Sequence, residues 1–237
     1  MAEARGLVAR AERLDELCLS GLVATKRVLD VAGLEAATVA ARSHALIVGT
    51  AVGCLETDVL YYGQIIDVGL ERANPRLFAY TLANMVLGEV AIANGWMGDQ
   101  LAISAGRTSG LAALAEGGAL VASGELDLAL VLVLDVVGPA TARAFDGLGT
   151  TAVPTMSAFV IESRDAAAAR GAPALAEVEG GCGFDPSAEA SWPTPDLLAA
   201  SGLEQVFGAL GGTVSTPVRV DVSCASGHTA WLRLSAG

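Results

Sequence analysis

The sequence has few of the residues on which disulfide, metal and membrane proteins depend. Four of its 237 residues are cysteine and two are histidine, and Cys18, Cys54, Cys182 and Cys224 form no C-x-x-C pair. A disulfide framework and a zinc site have no support, so we expect reduced thiols and neither metal nor cofactor. No uncharged apolar run reaches the ~18 residues of a membrane span, and the N-terminal residues lack a signal-peptide pattern, which predicts a cytoplasmic protein.

Positive charge is also scarce. Fourteen Lys and Arg stand against 26 Asp and Glu, which gives a net charge of −12. Such a field repels nucleic acids and anionic membranes, so we expect neither as a partner. Aromatic residues make up 5% of the chain while 53% of it is apolar, mostly through small and aliphatic residues. This composition predicts a single, tightly packed domain over residues 1–237, or a large buried subunit contact.

Helical and extended patterns alternate along the chain. Apolar spacing predicts one helix over residues 12–31 and another that runs from Pro75 to Gly95. Residues 45–48 and 127–135 are apolar runs typical of strands covered on both faces. The remaining elements are strands at 100–104, 157–162, 174–179, 218–223 and 229–234 and helices at 111–122 and 196–210. The order predicts an α/β fold with a mixed, mostly parallel sheet layered with helices, and the Ala- and Gly-rich helix 111–122 should be buried.

The most informative segment is Gly98 to Gly110, with the sequence GDQLAISAGRTSG. It resembles, without a gap, the nucleophile elbow of the β-ketoacyl synthases of the thiolase superfamily, in which a Thr-Ala-Cys-x-Ser-Gly turn leads into a buried helix. Ala105 and Gly106 take the Thr-Ala positions, and Arg107 takes the position of the nucleophilic cysteine.

Other motifs follow in the order of the family. The helix that starts near Leu14-Asp15 resembles its Met-Asp helix, and Gly49-Thr50 with Gly53 resembles its Gly-Thr-x-x-Gly turn. Residues 74–84, 124–127 and 158–171 are similar to later family segments. The resemblance covers about residues 14–171 well and 218–234 loosely. It implies a thiolase-like fold reduced to about one half of the full ketosynthase fold.

The catalytic set of the family is missing. The resemblance implies one cysteine and two histidines, in a His-Gly-Thr and a Gly-His motif, and the sequence contains neither motif. Arginine stays protonated and is a poor nucleophile, so Arg107 cannot carry an acyl thioester. We therefore expect no catalytic residue of the usual kind and lean towards a pseudoenzyme of this acyltransferase family.

Several site residues remain open to interpretation. Arg107 either fills the vacated pocket and bonds a carboxylate or strand-end carbonyl groups, or it helps the following helix N-terminus to hold an anion. Cys224 and His228, four residues apart in a Gly- and Ser-rich turn, are weak candidates for a thiol–imidazole pair. Cys54 is interpreted as a buried small hydrophobe and His44 as a strand cap.

Three functions are compatible with this pattern. The first is a non-catalytic, chain-length-factor-like subunit of a type II polyketide or fatty-acid system, in a dimer with a ketosynthase or with itself. The resemblance implies that the elbow helix and the strand before it form that interface. The second is a repurposed enzyme for an acyl or polyketide thioester, and the third is an acyl- or carrier-binding scaffold.

Because carrier proteins are acidic, we expect an acyl carrier protein to dock through the partner. Faces left open by the missing half should be apolar.

Overall fold

The structure is a computed structural model of the chain. It describes residues 6–172, 175–185, 187, 196–210, 217–224 and 228–235. The predicted start of a strand at Ala174 and the middle of the turn between Cys224 and His228 lie outside these residues. In the part of the chain described, no helix is both long and apolar enough to span a membrane.

A four-stranded sheet forms the centre of the molecule. Its strands are β1 (His44–Gly49), β2 (Asp99–Ile103), β3 (Leu128–Asp135) and β4 (Thr155–Glu162). In the order β2-β1-β3-β4, β1 pairs in parallel with β2 and β3, and β4 is antiparallel to β3. Both central strands are buried along their whole length, as expected for strands covered on both faces. This is the mixed, mostly parallel sheet that the sequence predicts.

Three later strands form a second sheet instead of extending the first. They are β5 (Glu177–Phe184), β6 (Val218–Ser223) and β7 (His228–Ser235), all antiparallel, with β7 in the centre. The sequence predicts these strands as such but not their separation from the first sheet, because strand patterns do not specify long-range pairing partners.

Helices form layers around and between the sheets. The described residues contain α1 (Glu16–Ala32), α2 (Ala36–Ala40), α3 (Leu55–Val68), α4 (Pro75–Phe78), α5 (Met85–Asn94), α6 (Ser109–Ala122), α7 (Pro139–Gly147), α8 (Arg164–Ala169) and α9 (Leu203–Leu210). Helices α1 and α5 pack on one face of the first sheet, and α6 lies between the two sheets.

Small residues allow α6 to lie close to both sheets. A Cβ atom added at Gly117 would lie 3.0 Å from Val131 of the first sheet, and one added at Gly180 of β5 would lie 2.8 Å from Ala115. Most of the helix is buried, including Leu111 and Leu114. The prediction of a buried, Ala- and Gly-rich helix is confirmed.

Several predicted helix boundaries are wrong. Helix α1 begins at Glu16 rather than at residue 12, because the Asp15 carboxylate accepts the Cys18 N–H at 2.9 Å and caps the helix there. The helix predicted from Pro75 to Gly95 is two helices, α4 and α5. The Thr81 hydroxyl donates to the Phe78 carbonyl at 2.8 Å in the break between them.

Two further differences concern whole elements. Within the predicted helix 196–210 only α9 is α-helical, and Leu198–Ala200 forms a single 3-10 turn. Helices α2, α3, α7 and α8 have no counterpart among the elements predicted from the sequence. The apolar residues of α3 lie on several sides, so its helical periodicity is weak.

The second sheet has a charged outer face. Val178, Val220 and Leu232 point towards α6, and the alternating positions on the side away from α6 are Glu179, Arg219, Asp221, Trp231 and Arg233. The Arg219 guanidinium lies 4.5 Å from the centre of the Trp231 ring system and also pairs with Asp221. We call these five positions the outer face. Ion pairs within β6 (Arg219–Asp221) and between β7 and β5 (Arg233–Glu179) make this surface compatible with solvent. The expectation that faces left open by the missing half are apolar stays a prediction.

Candidate functional site

The elbow predicted from the sequence is a tight turn between β2 and α6. Gly106 has φ +58°, a left-handed conformation that glycine adopts without steric cost. The Ser109 hydroxyl accepts the Ala105 N–H at 2.9 Å and contacts the Gly106 carbonyl at 2.6 Å. These bonds place Arg107 just before the first turn of α6.

Arg107 is bound to residues far along the chain. Its Nε donates to the Ser201 hydroxyl at 3.2 Å and lies 3.4 Å from the Asp196 Oδ1 atom. Asp196 is fully buried, whereas about a fifth of the Arg107 side chain is exposed. A buried carboxylate needs a cation or several hydrogen-bond donors to stay ionised. The geometry therefore favours the first interpretation, in which Arg107 bonds a carboxylate in the vacated pocket.

Residues 196–202, which we call the elbow loop, run across the start of α6. A Cβ atom added at Gly110 would lie only 2.2 Å from the Ala199 carbonyl oxygen, so the loop backbone touches the helix. Leu198 has φ +52°, a conformation that costs a non-glycine residue roughly 1–2 kcal/mol. The Leu198 N–H donates to Asp196 Oδ1 at 2.8 Å, which offsets part of this strain.

Asp135 joins the elbow loop to the end of β1. Its buried carboxylate accepts hydrogen bonds from the Thr50 hydroxyl at 2.8 Å and from the N–H groups of Ala51, Val52 and Ala199 at 2.8–3.0 Å. Burial raises the pKa of Asp135, and these four donors oppose that rise by stabilising the carboxylate. Sequence reasoning assigned Asp135 only to a strand end. The available signal was an acidic residue that closes an otherwise unbroken apolar run.

An open pocket of about 280 Å³ lies beside Arg107. Its walls combine hydroxyl, amide and carboxylate groups from the elbow loop, α9 and β6, namely Ser201, Glu204, Gln205, Asp221 and Ser223. Glu204 and Asp221 bring carboxylates to the lining of the pocket, and negative charge there reduces its attraction for an anion. The second interpretation of Arg107, an anion site, therefore has less support from the surrounding charges.

Cys224 lies at the elbow. Its buried thiol contacts the Ala105 carbonyl at 3.6 Å, and its N–H donates to the His228 carbonyl at 2.9 Å. The exposed His228 ring contacts the edge of Phe184, with ring centres 5.7 Å apart. The proposed thiol–imidazole pair stays a prediction, and the position of Cys224 beside the elbow was not foreseen from its spacing to His228.

The other sequence candidates make local hydrogen bonds. The interpretation of Cys54 as a buried hydrophobe is wrong, because the residue is only partly buried and its thiol donates to Asp58 Oδ2 at 3.4 Å. Burial and the Asp58 carboxylate raise the pKa of the Cys54 thiol to about 12, so this thiol stays protonated. The His44 Nδ1 atom lies 2.8 Å from the Arg42 carbonyl and must carry a proton to donate to it, at the start of β1. Across the described residues, no three His, Cys, Asp or Glu side chains converge as metal ligands.

The comparisons with known proteins identify the family. A family model described as the β-ketoacyl synthase N-terminal domain matches residues 2–171. The chain belongs to the β-ketoacyl synthase family. It is 28% identical over 200 residues to the tetracenomycin polyketide synthase ketoacyl synthase alpha subunit of Streptomyces glaucescens. This alignment covers 72% of this chain and 47% of that protein.

Other β-ketoacyl synthases match over shorter stretches. The 3-oxoacyl-[acyl-carrier-protein] synthase 2 of Vibrio cholerae is 27% identical over 117 residues, 49% of this chain and 28% of that protein. The chain therefore spans about half or less of the length of these curated relatives.

Solved structures share the fold at lower identity. The ishigamide ketosynthase/chain length factor has a TM-score of 0.78 at 19% identity, covering 94% of this chain and 81% of the solved chain. A type II polyketide synthase acyl-carrier protein complex with its hexaketide-bound ketosynthase has a TM-score of 0.81 at 15% identity, covering 96% and 86%. Both confirm the thiolase-like ketosynthase fold.

Proposed function

We propose that this chain is a non-catalytic, chain-length-factor-like subunit of a type II polyketide or fatty-acid system that pairs with a ketosynthase. The observation that carries the proposal is the Arg107 side chain at the nucleophile position, bound to Ser201 and close to Asp196. Condensation by this family needs a thiolate that forms an acyl thioester, and a guanidinium cannot supply it.

The distribution of histidines supports the same conclusion. His44 and His228 are the two histidines of the sequence. His44 starts β1, whereas the elbow lies beyond the opposite end of that strand, where Ser109 contacts the Thr50 carbonyl at 2.9 Å. A pair of imidazoles facing the elbow, which would stabilise an enolate, is therefore not available from this chain.

The exposed edge of the first sheet supports a subunit contact. Strand β2 ends the strand order and is exposed along most of its length. An open edge can pair with a strand of another chain, and the family resemblance implies an interface at this strand and the elbow helix. The net charge of −12 disfavours a second copy and favours a partner of opposite charge.

The solved relatives are consistent with such a role. The chains from the ketosynthase/chain length factor and from the carrier-protein complex are covered over 81% and 86% of their lengths. Chains of nearly this size therefore occur in assemblies of that kind. We infer that an acyl carrier protein reaches the assembly through the partner, because this chain is itself acidic.

The proposal is tested by co-expression with a type II ketosynthase from the same organism. Co-purification and a change in product length when this chain is omitted are the expected results.

Mass spectrometry of the isolated chain with acyl and malonyl thioesters should detect neither acylation at Arg107 nor loss of carbon dioxide. Arg107→Cys should still make no ketoacyl product, since removing one member of a cooperative catalytic set already removes most of its rate. Ketoacyl product from this variant alone would contradict the non-catalytic assignment.

A second candidate is the repurposed enzyme, favoured by the position of the Cys224 thiol at the elbow carbonyl of Ala105. In that case an acyl thioester would modify Cys224 in the wild type and leave Cys224→Ser unmodified. The same mass spectrometry distinguishes the two candidates.

A further inference from the structure

A second pocket, of about 440 Å³, lies between the N-terminal segment and α5. It shares no described lining residue with the pocket beside Arg107. Its volume is within the range of about 300–1,000 Å³ that is typical of small-molecule sites. The described residues that line it are Val8, Ala9, Arg10, Arg13, Ile92 and Ala93.

The two arginines of this lining lie on one side of a tight turn. Residues Ala11–Arg13 form a 3-10 turn, and the Arg13 N–H donates to the Arg10 carbonyl at 2.8 Å. Side chains three residues apart are eclipsed in such a turn, so both guanidinium groups are directed to the same side. None of the described lining residues is acidic, although the chain has 26 Asp and Glu against 14 Lys and Arg. The pocket therefore has positive charge on an otherwise acidic protein.

One of the two guanidinium groups is fixed and the other is available to a ligand. Arg10 Nη2 donates to Glu89 Oε2 at 2.6 Å, and the Tyr80 hydroxyl donates to Glu89 Oε1 at 3.2 Å. The Glu89 side chain is only 7% exposed, so this pair holds Arg10 in place at the pocket. Arg13 is exposed and has no acceptor or carboxylate partner in the described part of the chain. Its N–H donors can therefore bind an anion.

The other walls of the pocket are apolar. Ile92 of α5 is 66% exposed, and Val8 packs against the core of the first sheet. An apolar group that covers Ile92 is stabilised by removal from water, and an anionic group is stabilised by the guanidinium groups. A ligand that suits both parts of the pocket has one group of each kind.

We infer that this pocket, which we call the Arg10–Arg13 pocket, binds an amphiphilic organic anion. Its carboxylate or phosphate head group contacts Arg13 and Arg10, and a short apolar chain lies against Ile92. Charge-assisted hydrogen bonds to guanidinium groups are stronger than those between neutral groups, which makes the head group the main determinant of orientation. The inference is independent of the proposed function, because neither Arg107 nor β2 takes part.

The test titrates the full chain with hexyl phosphate and with hexanoate, and follows amide chemical shifts by NMR spectroscopy. Hexanol lacks the charged head group and inorganic phosphate lacks the chain. At least one amphiphile should bind about fivefold or more tightly than either of these probes, because it alone contacts both parts of the pocket. The order of the two amphiphiles assigns the head group. The largest shifts should occur within residues 8–13 and 92–93.

Substitutions locate the ligand. Arg13→Gln should weaken binding of the amphiphile at least about fivefold, because it removes a guanidinium–anion contact. Arg143→Gln, at an exposed arginine of α7 outside the pocket, is the matched control and should change the dissociation constant by less than about twofold. Ile92→Ser should weaken the amphiphile but not inorganic phosphate. Arg10 is left in place because its loss leaves the buried Glu89 carboxylate without its cation. Thermal unfolding of each variant verifies folding.

Four results would overturn the inference. Equal binding of hexanol and the amphiphiles would show an apolar pocket without an anion site. Equal binding of inorganic phosphate and hexyl phosphate would show that the wall at Ile92 takes no part. An unchanged affinity in Arg13→Gln would place the ligand elsewhere, and so would shifts confined to other residues. The fourth result is the absence of binding by both amphiphiles.

Discussion

The outer face of the second sheet and the surface of residues 55–78, which we call the α3–α4 arm, are both exposed, but their compositions are opposite. The outer face carries the charged pairs Arg219–Asp221 and Arg233–Glu179, with Trp231 partly covered by Arg219. The arm presents aliphatic and aromatic side chains such as Ile66 and Phe78. Ion pairs on a sheet surface are stable in water, whereas an apolar surface is stabilised by removal from it.

The comparison indicates which exposed surfaces are suited to a subunit contact. The resemblance to ketosynthases predicts open apolar faces wherever the missing half of the fold would pack. The outer face of the second sheet is not a face of that kind, because its side chains are suited to solvent. Exposed apolar side chains lie instead on the arm, as at Ile66 and Phe78. The subunit contact proposed above is therefore expected at the open edge of β2 rather than at the outer face.

The largest expected effect tests whether the two faces of the second sheet differ as described. Leu232→Ala should lower the free energy of unfolding by about 2–4 kcal/mol, because Leu232 is fully buried against α6. The neighbouring Arg233→Ala should cost less than about 0.5 kcal/mol, since its pair with Glu179 is exposed at 3.7 Å. Urea unfolding followed by tryptophan fluorescence measures both values. Similar losses for the two variants would mean that the outer face is covered.

An intermediate effect is expected at the base of the arm. Glu56→Gln should destabilise the chain by about 1 kcal/mol, because a neutral amide interacts more weakly with the N-terminus of α7 and the remaining solvent exposure screens the charge. The control is Glu71→Gln, an exposed acidic residue of the same arm.

The same substitution has a predictable pH dependence. Partial burial would raise the pKa of Glu56, but the N–H donors of Thr141, Ala140 and Gly138 outweigh it and hold the pKa below its ordinary value. A carboxyl whose pKa is lower in the folded state stabilises the fold above its unfolded pKa. The difference between wild type and Glu56→Gln should therefore be complete near neutral pH and disappear as the pH falls through the folded pKa. Chemical denaturation at several pH values measures it, and a difference that grows in acid would contradict the assignment.

The smallest effect concerns the exposed arm in the isolated chain. Ile66→Glu should change the free energy of unfolding by less than about 0.5 kcal/mol, because the side chain has few contacts to lose. Thermal denaturation of the isolated protein is the measurement. A loss above 2 kcal/mol would show that Ile66 belongs to the core of this chain rather than to its exposed surface.

Local features of the sequence were sufficient for much of the fold. The apolar run of β3 and the small residues of α6 predicted a buried strand and a buried helix, and both are confirmed. The boundaries failed where a side chain competes with helical periodicity, as Asp15 does at α1 and Thr81 does between α4 and α5. Helix α3 was missed because its apolar residues face outwards as well as inwards, which removes the periodic signal.

The sequence by itself determined the family, the elbow turn and the replacement of its nucleophile by Arg107, because these depend on contiguous residues whose types specify local geometry and chemistry. Only the tertiary structure decided what Arg107 contacts. Its partner Asp196 lies far along the chain, and the strained turn at Leu198 brings that carboxylate to the elbow. The division of the strands into two sheets and the charge of the outer face were also decided at this level. Such features arise from contacts between distant segments, which local periodicity does not encode.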